Sequence, residues 1–118
     1  MDNIVIRAIQ LQDNVALAEI IRNALAEFKA NKPGTVYFDE STDHLYELFQ
    51  TEKSLYNVAL LNGRVAGGAG VYPTKGLDDN TCELVKMYLS PIARGKGLGK
   101  LLLRQCLNDA KEKGYKKI

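Results

Sequence analysis

Glycine stands at three alternate positions, Gly95, Gly97 and Gly99, just where a leucine-rich segment begins. That juncture limits the chain more than any other stretch. Leu98, Leu102, Cys106 and Ala110 follow at four-residue steps, and Leu103 and Leu107 widen the apolar stripe. This spacing predicts an amphipathic helix from Gly97 to about Lys113. Gly114 suits the position after its end, where a left-handed residue is common. Lys111 and Lys113 suit the negative end of its dipole. Before the glycines, residues 81–89 read as a strand closed by Ser90-Pro91, and residues 115–118 read as the opening of another strand. A strand, a long helix and a strand make a crossover unit.

The remaining elements follow from periodicity and punctuation. Ile4 and Ile6 alternate with Val5 and Arg7 as a first strand. Asp13 is the expected N-cap of a helix running to about Ala30, with Leu17, Ile21, Ala24, Leu25 and Phe28 on one face. Pro33-Gly34 ends it. Ser41 or Thr42 is expected to cap a short second helix with Leu45, Leu48 and Phe49 inward. Residues 57–61 and 64–72 form a hairpin about Asn62-Gly63, a type I′ turn signal. Gly67, Gly68 and Gly70 in the returning strand suggest a bulge or the close approach of another group. The order is β-α-α-β-β-β-α-β. It predicts one α/β domain over 1–118, with a mixed, mostly antiparallel central sheet and flanking helices.

The chain has 118 residues, of which 46% are apolar and 25% charged, so disorder is not expected. Met1-Asp2-Asn3 opens no signal peptide, and no apolar run approaches the roughly 20 residues of a membrane span. Cys82 and Cys106 lack metal-ligand spacing and make no disulfide framework, which points to a reduced, cytoplasmic setting. His44 is the only histidine, so no metal centre is expected. Residues 94–118 carry eight Lys or Arg against Asp109 and Glu112, whereas the first 93 residues carry eight basic and twelve acidic ones. The basic end suits an anionic partner. A solvated helix face is the plain alternative.

The start of a helix leaves several backbone N–H groups without partners and carries partial positive charge. Both features favour an anion, and glycine lets the backbone approach one closely. Arg94, Lys96, Lys100 and Arg104 crowd this end, where each opposes the dipole at a cost of a few tenths of a kcal/mol. A bound pyrophosphate would relieve that conflict. The P-loop spacing is not met, since three residues rather than four separate Gly95 from Gly99-Lys100, and Leu101 follows. Nor is the dinucleotide fingerprint met, since the glycines read G-x-G-x-G. A third pattern fits: Arg or Gln, two residues, Gly, one residue, Gly or Ala. Arg94, Gly97 and Gly99 fill it. With the preceding strand, the Ser90-Pro91 turn and the helix up to Gly114, the chain resembles the GNAT superfamily of N-acetyltransferases. The likeness is specific over 83–118 and rests on element order before that.

The resemblance implies acetyl-CoA as co-substrate and no metal. It implies a pyrophosphate cradle from the amides of Gly95, Lys96, Gly97, Leu98, Gly99 and Lys100. Arg94 would support the loop or reach a phosphate. Met87, Tyr88 and Leu89 would pair by backbone groups with the pantetheine arm, as an added strand does. The Met87 amide would donate to the thioester carbonyl. Glu83, eleven positions before Arg94, stands where some members carry a general base. It would share a strand face with Val85 and Met87. A strand glutamate that only pairs with a lysine, or that binds the acceptor's ammonium, is the alternative. Tyr37 and Phe38, between the first two helices, would line the acceptor pocket or pack in the core. The family's acid is often a tyrosine beyond the fifth strand, and the chain stops at Ile118, so a C-terminal part of the fold is expected to be missing. Tyr88 and Tyr115 are expected to be packing residues.

The expected reaction is direct acetyl transfer in a ternary complex to a primary amine, small or amino-acid-like. A non-catalytic CoA-binding or regulatory domain is the competing reading. Nucleic acid is not an expected partner, because the basic segment has a single aromatic, Tyr115, and no recognition motif. A membrane is not expected either, and a homodimer stays open.

Overall fold

The computed structural model describes residues 2–29, 39–74, 76 and 78–118. Strand β1 spans Ile4–Ala8, helix α1 Asn14–Glu27, helix α2 Leu45–Leu48, strands β2, β3 and β4 Leu55–Leu61, Arg64–Pro73 and Cys82–Leu89, and helix α3 Leu98–Glu112. The four strands form one antiparallel sheet in the order β1-β2-β3-β4. Helix α3 covers one face. Leu98, Leu102, Cys106 and Ala110 pack there on Ala59, Leu61, Ala69, Val71 and Cys82. Helices α1 and α2 cover the other, where Leu17, Ile21, Leu45 and Phe49 meet Tyr56 and Val58. The result is a three-layer α/β arrangement in which each helix buries its apolar stripe on the sheet.

The Asn62-Gly63 turn joins β2 to β3 with φ of 53° and 81°, the left-handed pair that a type I′ turn requires. The last residues do not make a full strand. Lys117 forms a single parallel bridge with Thr81, and its carbonyl accepts the Cys82 amide at 3.0 Å. That is the beginning of the expected crossover, on the far side of β4 from β3.

Three local expectations are corrected. Asp13 does not cap by receiving an amide of the following turn. A 3-10 turn over Leu11–Asp13 precedes α1, and the Asp13 carboxylate accepts the Gln10 amide at 2.8 Å and two Arg7 guanidinium bonds at 2.7 and 3.0 Å. The second helix is entered through Asp39, whose carboxylate accepts the Ser41 amide at 2.9 Å across the 3-10 turn Glu40–Asp43. Phe28 is not a core residue: it is 72% exposed, and it stands at the C-cap, just past the end of α1 at Glu27.

Candidate active site

The glycines of β3 mark an irregularity in its partner. Val85 faces Gly70 and Tyr88 faces Gly68, so Ala69 alone opposes both Lys86 and Met87. The extra residue is a β-bulge, and Lys86 takes φ of 54°, a region that side chains rarely occupy. Alternation along β4 therefore resets. Glu83 and Val85 line a cleft of about 240 Å³ on the α2 side with Leu48, Phe49, Tyr72 and Lys86. Met87 does not share their face, contrary to the regular-strand expectation. Its Cε lies against α3, 3.3 Å from where a Cβ of Gly99 would stand. A second, largely apolar cleft of about 490 Å³ runs from Ala24, Leu25 and Phe28 to Met87, Tyr88, Leu89 and Arg94. Burial pushes the Tyr88 hydroxyl above its ordinary pKa.

Beyond β4 the chain is pinned before it turns. The Ser90 amide donates to Ala66 O at 2.8 Å, and the 3-10 turn Pro91–Ala93 buries Ala93 completely. Gly95 and Gly97 then take φ of 78° and 79°. A Cβ on either would meet nothing within 4 Å, so this face of the turn is bare. The first amide of α3 to find an acceptor is that of Leu101, bonded to Gly97 O at 3.2 Å. Among the described residues, no backbone acceptor lies within normal hydrogen-bond geometry of the amides of 95–100. These donors and the positive end of the dipole of a fifteen-residue helix gather beside the end of β4, where Gly95 and Gly97 leave the turn bare.

The basic side chains here are divided. Arg94 donates to Glu27 Oε1 at 2.7 Å and to Leu89 O at 3.2 Å, with its guanidinium 5.7 Å from the Phe28 ring centre. It ties the turn to α1 and β4, and its hydrogen bond holds the Glu27 carboxyl below the usual range. Lys96 pairs with Asp2 at 2.7 Å. Two of the four crowded cations are thus paired with acids from elsewhere, so part of the conflict with the helix dipole is relieved within the chain itself. Lys100 and Arg104 make no ion pair among the described residues.

Glu83 is exposed, and its carboxylate has no hydrogen-bond partner among the described residues. Tyr37 and Phe38 lie outside the described residues. Tyr115 is buried, donates its hydroxyl to Lys53 O at 2.8 Å and lies 4.5 Å under the Lys53 ammonium. His44 is exposed beside Glu47 at 3.1 Å. Sequence reasoning did not find Lys86, Glu27 or the Phe28–Arg94 contact. For the bulge a signal existed, but on the opposite strand: the glycines of β3.

The model of the acetyltransferase (GNAT) family matches residues 18–118. The uncharacterized N-acetyltransferase YjgM of Escherichia coli strain K12 is 41% identical over 115 residues, covering 96% of this chain and 68% of that protein. Among solved structures, yncA of Salmonella typhimurium with its cofactor acetyl-CoA superposes with a TM-score of 0.75 at 28% identity, over 96% of this chain and 66% of that one. A GNAT-family acetyltransferase of Staphylococcus aureus Mu50 gives 0.76 at 20% identity, over 93% and 67%, a likeness of fold. The chain thus spans about two thirds of the length of each of these relatives. With the family's model matched from α1 to the last residue, and its glycine turn presenting open amides at the start of α3, the chain belongs to the GNAT family of acetyl-CoA-dependent N-acetyltransferases.

Proposed function

We propose that this chain moves the acetyl group of acetyl-CoA directly to the primary amine of a small, amino-acid-like acceptor while both are bound. The observation that carries the reading is the row of amides at 95–100 without backbone acceptors of normal geometry, in a turn left bare at Gly95 and Gly97 beside the end of β4. A diphosphate suits that row in charge and in hydrogen bonding. Gly95, Lys96, Gly97, Leu98, Gly99 and Lys100 would hold it. Met87, Tyr88 and Leu89 would offer main-chain groups to the pantetheine arm from the outer strand of the sheet. Arg94 keeps the turn against α1. Bound acetyl-CoA supplies a thioester open to attack by an uncharged amine: the C–N bond forms, the C–S bond breaks, and the CoA thiolate leaves as the thiol, taking up the proton that the acylated nitrogen gives up.

Glu83 serves as the base that removes the ammonium proton. Its carboxylate has no partner among the described residues and shares the 240 Å³ cleft with the apolar side chains of Leu48, Phe49 and Val85. A cleft of that size favours a small acceptor. The Met87 amide acts as donor to the carbonyl oxygen as negative charge grows there. Tyr37 and Phe38, outside the described residues, would contribute to acceptor binding by the family resemblance. A cytoplasmic setting belongs to the same reading, because Cys82 and Cys106 are both free and buried. No described helix is long and apolar enough to cross a membrane.

The test is thiol release from acetyl-CoA across amino acids, polyamines and aminoglycosides. Glu83→Gln should lower kcat about 100-fold with an altered pH profile and little change in CoA affinity. Unchanged kinetics across pH would remove Glu83 from the mechanism. Tight CoA binding by the unaltered chain with no thiol release for any amine would favour the regulatory reading.

A further inference from the structure

Tyr56 lies inside the molecule and yet reaches the edge strand. It sits on β2, is 1% exposed, and packs against Phe49 with ring centres 5.0 Å apart. Its ring crosses β3 where that strand has no side chains. A Cβ on Gly68 would collide with the ring and stand 2.7 Å from the hydroxyl, and one on Gly70 would stand 2.7 Å from ring carbon Cδ2. Through this gap the hydroxyl donates to the carbonyl of Lys86 at 2.8 Å. Lys86 is the bulge residue with φ of 54°.

The partner of that hydrogen bond is half of a rigid unit. The Lys86 carbonyl and the Met87 amide belong to one peptide group, which is planar and trans, so its C=O and N–H point in opposite directions. A hydroxyl that holds the carbonyl inward turns the Met87 N–H outward. Donation to the carbonyl also polarises the peptide and strengthens its N–H as a donor. Burial pushes the Tyr56 hydroxyl well above its ordinary pKa, so it keeps its proton throughout the physiological range.

We infer that Tyr56 is a positioning residue for acetyl transfer: by holding the Lys86 carbonyl it fixes the bulge of β4 and aims the Met87 amide at the reacting carbonyl. The inference rests on the reading of Met87 as that donor. It gives Gly68 and Gly70 of β3 a purpose in the site, since they clear the path for the phenol.

Tyr56→Phe removes the hydroxyl and keeps the ring. In the complete protein, kcat for thiol release from acetyl-CoA, with the best amine of the panel, should fall about tenfold or more. The affinity for CoA, which lacks the acetyl group, should stay within about twofold, and the Met87 amide resonance should move. A kcat within twofold of the original would overturn the inference. So would an equal loss of kcat and CoA affinity, the mark of general loosening. If the variant does not fold, the original protein still decides: the Tyr56 hydroxyl proton should be observable and slow to exchange, and rapid exchange contradicts the hydrogen bond. Absence of thiol release by the unaltered chain would refute the transfer reading instead, leaving the hydroxyl-exchange and Met87 resonance measurements to judge Tyr56.

Discussion

Two glycine turns lie at the same end of this molecule, and they use the same backbone conformation for opposite ends. The hairpin turn has Asn62 and Gly63 at φ of 53° and 81°, and the turn before α3 has Gly95 and Gly97 at 78° and 79°. A Cβ on Gly63, Gly95 or Gly97 would meet nothing within 4 Å. The hairpin turn is closed off by the segment before β1: Asn62 N–H donates to Asn3 O at 2.7 Å, and Asn3 N–H donates back to Asn62 Oδ1 at 2.8 Å. The second turn leaves its amides open. Asp2 touches both, accepting from Asn62 Nδ2 at 3.2 Å and pairing with Lys96 at 2.7 Å. A left-handed glycine alone therefore marks a tight turn. What separates a connector from a binding corner is where the neighbouring N–H groups find acceptors.

The contrast can be broken most directly by filling each turn. Gly97→Val strains a left-handed residue and puts a branched side chain among the open amides. Loss of even two charge-assisted hydrogen bonds gives a fall in CoA affinity of about 100-fold or more, read by calorimetry. Gly63→Ala strains a matching conformation and should lower stability by about 1 kcal/mol in urea melts, with CoA affinity within twofold. Equal effects on CoA binding would erase the distinction.

A second prediction concerns a site remote from both turns. Burial opposes the charge of Asp13, but the Arg7 guanidinium and the Gln10 amide outweigh it and hold its pKa below 3.8. Because the folded value is depressed, this stabilisation is complete above the unfolded value. It is lost as pH falls below about 3.8 toward the folded value. Asp13→Asn should cost about 2 kcal/mol at pH 7, and the difference from the unaltered protein should shrink in acid melts. CoA affinity should not follow it.

The smallest effects separate the basic side chains. Lys100→Ala should weaken CoA binding severalfold at low salt and less at high salt, since an exposed charge is screened. Arg94→Ala should show little salt dependence, because its guanidinium is committed to Glu27 and Leu89. A steeper salt dependence for Arg94 than for Lys100 would reverse these roles.

How far the sequence foretells this site depends on whether the responsible signal is local. The Asn62-Gly63 hairpin and the stripe Leu98, Leu102, Cys106 and Ala110 are written in adjacent residues, and both appear as read. The glycine turn is local too. The bulge at Lys86 is not, since nothing in Glu83-Leu84-Val85-Lys86-Met87 announces it. It follows from Tyr56 and the glycines of β3, which meet it only after the sheet forms. Regular alternation consequently placed Met87 on the wrong face. Asp13 misled for a related reason: it looks like a cap beside its helix, and its strongest partner, Arg7, comes from β1. Phe28 fits the helical period, but the period does not reveal that the helix has ended one residue before it, leaving its ring exposed.

The most direct measurement is a crystal structure of the complete protein with acetyl-CoA. The diphosphate oxygens should lie about 3 Å from the main-chain nitrogens of residues 95–100, with the ligand running toward Met87. A well-ordered ligand lodged elsewhere, with those amides bare or turned onto acceptors of the protein itself, would contradict the assignment of this corner as the cofactor site.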